Sequence, residues 1–93
     1  MTKRDDSYKF KFHILDNYPS VIDEAGTKEI RVATTIKDME QHTLYEGNIK
    51  VKFNQFGVFP SIQDVAKAVS NSTVRRLLMS ELKRYVKPHR KFL

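Results

Sequence analysis

The chain has 93 residues, of which 40% are hydrophobic and 30% charged, and its formal net charge is +6. This length suits one modest core, so residues 1–93 are predicted to form a single domain. The lack of cysteine excludes disulfides, thiol catalysis and cysteine-based metal sites, and it favours a reducing, cytoplasmic location. The start of the chain lacks the apolar segment of a signal peptide, and no run of about 18 apolar residues predicts a membrane span.

Alternation of apolar and polar residues predicts strands in the first two thirds of the chain. Tyr8–Ile14 places its aromatic residues on one face and its lysines on the other, which is the pattern of a half-buried strand. Glu29–Ile36 and Ile49–Phe53 repeat this pattern with β-branched and aromatic residues. Phe56–Phe59 is a short apolar run that Pro60 closes. The sequence therefore predicts three or four strands.

Polar and glycine-containing segments separate these strands. Residues 1–7 are predicted to be a flexible N-terminus. Residues 16–20, 23–27 and 46–48 have the composition of turns. Residues 37–42 are polar and ambiguous, and the two residues before 46–48 either extend a strand or lead into that turn.

The last third of the chain has helical spacing. Ser61 is a suitable N-cap, Asp64 three residues later resembles the second half of a capping box, and apolar residues follow at helical intervals. Ser70–Ser72 interrupts the pattern, and residue 72 or 73 is expected to cap a second helix. Because this interruption contains neither glycine nor proline, residues 61–86 form either two helices or one.

The second helix is predicted to carry an apolar stripe and to end at Pro88. The stripe consists of Val74, Leu77, Leu78, Leu82 and Tyr85. Glu81 falls inside it, so we expect Glu81 to lie at the edge and to pair with Arg84 or with a lysine of the sheet. Residues 88–93 form a basic tail. Strands followed by helices predict the α+β class, here an antiparallel sheet of three or four strands with two C-terminal helices packed on one face.

All of the net positive charge lies in residues 73–93. This segment holds seven lysines and arginines and one acid, whereas residues 1–72 hold ten residues of each sign. Segregated charge attracts anionic partners, and lysine and arginine displace the counterions of nucleic acids. The predicted binding residues for nucleic acid or another anionic partner are Arg75, Arg76, Lys83, Arg84, Lys87, Arg90 and Lys91. The alternative is a solvated face whose cations suit the C-terminal end of the helix dipole.

Residues 62–78 include Asp-Val-Ala at 64–66 and Thr-Val-Arg-Arg at 73–76. This arrangement resembles the helix-turn-helix of lactose-repressor-type regulators, over about 17 of the 93 residues. It differs from that family in a shorter turn without glycine and in its position after a sheet. The resemblance implies that Thr73, Arg75 and Arg76 face the major groove of DNA. The alternative is a plain helix pair that closes the sheet.

Other candidate sites are not favoured by the sequence. Lys9–Phe12 and Lys50–Phe53 alternate lysines with apolar residues, so the two types lie on opposite faces, whereas base stacking needs both on the exposed face. His13, His42 and His89 are far apart in sequence, so no metal site is predicted. Neither a catalytic motif nor a phosphate-binding glycine loop is present, so we predict no enzyme and no cofactor.

These patterns lead to three hypotheses for a small non-enzymatic binding protein. The first is binding of nucleic acid, DNA or RNA, through the basic C-terminal helix and tail. The second is a protein-binding regulator or inhibitor, of the phage or mobile-element type, that docks on an acidic surface of a larger protein. The third is an adaptor subunit of a nucleoprotein assembly. A homodimer is compatible with each hypothesis, and no membrane partner is expected.

Overall fold

A computed structural model describes residues 8–93, so the prediction for residues 1–7 lies outside the described residues. Four strands precede two α-helices and a 3-10 helix. Their bounds are β1 Tyr8–Ile14, β2 Lys28–Asp38, β3 Thr43–Asn54, β4 Gly57–Pro60, α1 Ile62–Ala68, α2 Ser72–Val86 and the 3-10 helix Lys87–Phe92. The strands form one antiparallel sheet in the order β1-β2-β3-β4. The predicted α+β class is confirmed.

The hydrophobic core lies between one face of this sheet and α2. Ile30 pairs with Val51 and Val32 pairs with Ile49 across β2 and β3, and all four side chains are fully buried. Side chains of α2 pack on this face; the fully buried ones are Leu78, Leu82 and Val86. The inner faces of β2 and β3 are therefore those that the alternation predicts.

β1 lies at an edge of the sheet, and its aromatic side chains are only half buried. Phe10 and Phe12 pack against the core, and the ring of Phe12 lies 5.4 Å from that of Tyr85 on α2. Lys9 and Lys11 are exposed on the opposite face. This confirms that the two phenylalanines of β1 pack on the core and that its lysines face solvent.

Residues 61–86 form two helices, and the connection to the sheet explains where the first begins. Ser61 is the N-cap of α1, because its Oγ accepts a hydrogen bond from the Asp64 N–H at 3.2 Å. The Ser61 N–H donates to the Lys50 carbonyl at 2.8 Å, and the Asp64 carboxylate accepts the Lys50 N–H at 2.9 Å. The carboxylate therefore ties α1 to β3, rather than bonding to the Ser61 N–H as in a full capping box.

The second helix begins and ends close to the predicted positions. Its cap is Asn71, whose Oδ1 accepts the N–H groups of Thr73 and Val74, whereas the sequence predicted a cap at residue 72 or 73. α2 ends at Val86 before Pro88, and the chain continues as the 3-10 helix because proline is tolerated in the first turn of a helix. None of the helices in residues 8–93 combines the length and the apolar character needed to cross a membrane.

One predicted turn is wrong and another is confirmed. Residues 46–48 lie inside β3, where Gly47 pairs with Thr34. The glycine fits there because the Tyr45 side chain covers it, and a Cβ would lie 2.8 Å from Tyr45 Cζ. At 23–27 a turn does form: the Asp23 carboxylate accepts two backbone N–H groups, and Gly26 has a φ of +80°.

Candidate nucleic-acid interface

The side of α2 that faces away from the core is basic. Four of the predicted binding residues are exposed there, and we call them the basic face: Arg76, Lys83, Arg84 and Lys87, the last of which begins the 3-10 helix. Their spacing places them opposite the buried Leu78 and Leu82 on a helix of 3.6 residues per turn. The amphipathic α2 of the sequence analysis is therefore present, with its cations in solvent.

Arg75 lies beside this face but points back into the protein. Its Nε donates to the Val69 carbonyl at 2.6 Å and its Nη2 to the Ala66 carbonyl at 3.2 Å. Ala66 lies in the last turn of α1 and Val69 is its C-cap, a region where main-chain oxygens have no partner within the helix. Arg75 therefore fastens α1 to α2, and this predicted binding residue has a structural role.

Arg84 forms an ion pair on the surface of α2. Its Nη1 lies 3.2 Å from Glu81 Oε2, and the Glu81 side chain is 25% exposed. Glu81 therefore lies at the edge of the apolar stripe and pairs with Arg84, as the sequence predicted. The pair reduces the charge that Arg84 offers to an anionic partner.

The basic tail folds back onto the turn between β3 and β4. Arg90 Nη1 donates to the Asn54 carbonyl at 3.1 Å. The side chain of Asn54 in turn donates to Thr27 Oγ1 and accepts the Phe56 N–H at 2.8 Å. Leu93 packs against the core, and Lys91 is exposed. Arg90 thus fixes the turn that presents Phe56.

Cations and aromatic rings meet in one open groove at the edge of the sheet. The groove has a volume of about 390 Å³, and we call it the β4 groove; it is lined by Phe56, Gly57, Val58, Phe59, Lys83, Lys87 and Arg90. Phe56 is 74% exposed and Phe59 49% exposed. No acidic residue of the described chain lines the groove. The groove therefore combines exposed rings with uncompensated positive charge.

Sequence analysis did not identify Phe56 and Phe59 as binding residues. The signal lies in the register of the β3–β4 hairpin: Phe53 pairs with Val58, so both point into the core, and the next residue, Phe59, must point outward. The Phe59 ring rests on Gly57, where a Cβ would lie 3.2 Å from the ring. Assigning a two-residue turn after Asn54 would have placed Phe59 on the outer face.

The turn between β2 and β3 brings three potential metal ligands together. Oxygen and nitrogen atoms of Asp38, Glu40 and His42 all lie within 4.8 Å of one another. The Asp38 carboxylate accepts the backbone N–H groups of Glu40 and His42 and contacts His42 Nδ1 at 3.2 Å. These hydrogen bonds, led by that of the His42 backbone N–H, lower the pKa of Asp38. The contacts of the turn account for this cluster, and we assign it no metal.

No protein-family model, curated protein or solved structure matches the chain. The resemblance of residues 62–78 to lactose-repressor-type regulators gains no support from these comparisons, and Arg75, one of its three groove-facing residues, is turned toward α1.

Proposed function

We propose that the chain binds nucleic acid through the basic face and the β4 groove. The observation that carries the proposal is the groove itself, where Lys83, Lys87 and Arg90 line one concave surface with no acidic residue of the described chain in its lining. Backbone phosphates are the common anion of all nucleic acids, and clustered cations bind them by releasing counterions. A groove also keeps these cations on one side of the ligand, which a scattered charge distribution does not.

The contacts within the protein set the number of phosphates that the surface engages. Arg75 is bonded to α1, Arg84 is paired with Glu81, and Arg90 spends one N–H on Asn54. Four cations of the basic face and the β4 groove therefore remain for phosphates: Arg76, Lys83, Lys87 and, through its other N–H groups, Arg90. Four contacts give a slope of log affinity against log salt of about −3 for a single strand, whereas seven contacts would give about −5.

A salt titration of charge variants tests this proposal. Replacing Lys83 and Lys87 with glutamine should reduce the steepness of the slope by about 1.4 on a single strand, because each lost phosphate contact removes about 0.7. The matched control replaces Lys9 and Lys11, which are exposed on β1 at the opposite edge of the sheet. Fluorescence anisotropy with labelled oligonucleotides measures both pairs.

Two results would contradict the proposal. The first is an absence of binding to single strands and duplexes alike at low salt. The second is an equal loss of slope in the control pair, since that would mean that the total charge of the chain, and not this surface, determines binding.

Binding of a protein partner is the second candidate function. Three exposed apolar side chains favour it, namely Phe56, Phe59 and Ile62, of which Ile62 is 75% exposed. Phe59 lies on β4, with Phe56 just before and Ile62 just after this edge strand, whose outer side has no neighbouring strand in the described sheet. If the partner is an acidic protein, charge reversal at Lys83 and Lys87 should slow association more than it speeds dissociation. Recovery of a stoichiometric protein after nuclease treatment would favour this candidate.

A further inference from the structure

The fold makes little use of the rings of Phe56 and Phe59. The core residues of the hairpin are Phe53 and Val58, which are 4% and 7% exposed. By contrast, most of the surface of Phe56 and about half of that of Phe59 are exposed to solvent. A single exposed apolar residue is ordinary, but two exposed rings in one cationic groove form a recognition surface.

The Phe59 ring and the backbone that carries Phe56 are held in place before any ligand binds. Phe59 rests against Gly57 on an edge strand, and its cross-strand neighbour is Lys52. Phe56 is presented by a turn that the Asn54 side chain closes, and Arg90 bonds to the carbonyl of the same asparagine. A preformed surface reduces the ordering cost of binding.

We infer that the β4 groove binds single-stranded nucleic acid, with unpaired bases stacked on Phe56 and Phe59 and phosphates against Lys83 and Lys87. This inference rests on the proposed function and adds the class of nucleic acid. Aromatic rings that alternate with cations along a groove are the means by which proteins bind single strands without reading their sequence.

The rings discriminate between single strands and duplexes. In a duplex the face of each base is covered by its neighbours, so a phenyl ring has nothing to stack on unless a base is displaced. In a single strand each base offers a free face, and every base type offers one. Charge alone would favour the duplex, because its phosphates are more densely spaced. Tighter binding of single strands than of duplexes would therefore indicate that the rings contribute to binding.

The charges around Phe59 indicate on which side of its ring the phosphate backbone of the nucleic acid lies. Phe59 also lines a second groove, in which Lys50 and Lys52 are balanced by Glu29 and Asp64. The β4 groove has no such acids in the described chain. The phosphates are therefore expected on the side of α2.

A tryptophan placed at Phe59 provides a direct readout of stacking. The natural chain contains no tryptophan, so Phe59→Trp introduces a single tryptophan that can be excited selectively over the 4 tyrosines. Its emission should be quenched by oligothymidine and should remain unchanged with an abasic strand of equal length, which has the phosphates but no bases. Phe92→Trp is the control, because Phe92 is exposed, at 75% against 49% for Phe59, but lies outside the groove.

Alanine variants measure the contribution of each ring to affinity. Phe56→Ala and Phe59→Ala should each weaken binding of oligothymidine about 5- to 150-fold. The salt slope should remain unchanged, since no phosphate contact is lost. Phe92→Ala should leave the affinity within twofold of the natural chain. Circular dichroism should be the same in all three variants, and thermal unfolding should change little, most for Phe59→Ala because that side chain is half buried.

The outcomes separate this inference from the proposed function. Quenching by oligothymidine alone, with loss of affinity in the groove variants, supports both. If the lysine variants weaken binding while the groove phenylalanine variants leave it unchanged, or if duplex binds as tightly as single strand, the stacking inference is overturned and the proposed function stands. If no nucleic acid binds at low salt, both are overturned.

Discussion

The two adjacent arginines of α2 should respond to the same substitution in opposite ways. Arg75 donates two hydrogen bonds to carbonyls in the last turn of α1, whereas Arg76 is exposed on the basic face. A hydrogen bond from a charged group contributes about 1.5–3 kcal/mol, and Arg75 is only partly buried, so solvent screening lowers that value. We expect Arg75→Met to lower the free energy of unfolding by about 1–3 kcal/mol and Arg76→Met to change it by less than about 0.5 kcal/mol.

Urea denaturation followed by circular dichroism measures this difference, and methionine is chosen because it keeps the length of the aliphatic stem. A loss of 1 kcal/mol corresponds to about 4–8 °C in melting temperature for a domain of this size. In binding experiments the order should reverse, since Arg76→Met removes a phosphate contact and Arg75→Met removes none. Equal stability of the two variants would refute the structural role of Arg75. An equal loss of salt slope would refute its exclusion from the binding surface.

Two further predictions concern the core and the turns. Leu78 is fully buried, so Leu78→Ala should cost about 2–5 kcal/mol in urea denaturation, while Ile62→Ala, at an exposed position, should cost little; a cost below about 1 kcal/mol at Leu78 would contradict the proposed core. The pKa of Asp38 is lowered from its usual 3.8 by the backbone N–H of His42. The charged carboxylate therefore stabilises the folded state when the pH is above the pKa of the unfolded chain. This stabilisation is lost as the pH falls through the lower pKa of the folded state. Asp38→Asn should flatten the decline in stability between about pH 5 and about pH 2, and an unchanged decline would rule out this contribution.

The buried faces of the strands were predictable because successive side chains of a strand point to opposite faces, so apolar residues at every second position mark the buried one. Ile30 and Val32 on β2 face Val51 and Ile49 on β3, and all four side chains are buried, whereas a slip by one residue would turn a strand's apolar side chains to the other face. The prediction of a turn at 46–48 was wrong because of a side-chain contact that the local sequence does not show. A glycine in a polar segment usually indicates a turn, but Gly47 lies in β3, and the Tyr45 side chain packs over it. A glycine that accommodates a neighbouring ring has the same composition signal as one that bends the chain.

The candidate site was half predictable. Segregated charge identified the cations of α2 and the 3-10 helix, because their positions depend on helical periodicity alone. The rings of Phe56 and Phe59 depend on the register of the β3–β4 hairpin, which brings them beside cations about 30 residues away in sequence. No pattern within a short segment of the sequence predicts that these rings and cations lie close together. The earlier Lys-Phe alternation in β1 is a stronger local signal, yet its rings pack against the core.

A count of cations overstates the charge that the C-terminal segment presents to a partner. Each arginine has several N–H donors in a planar fork, so it readily bonds to carbonyls inside the protein, whereas a lysine carries a compact, strongly hydrated charge. Arg75 and Arg90 bond to main-chain carbonyls, and Arg84 pairs with a carboxylate. Lys83 and Lys87, by contrast, extend into the β4 groove. Arg75 and Arg90 therefore hold α1 and the hairpin turn in place, and Lys83 and Lys87 supply most of the charge of the groove.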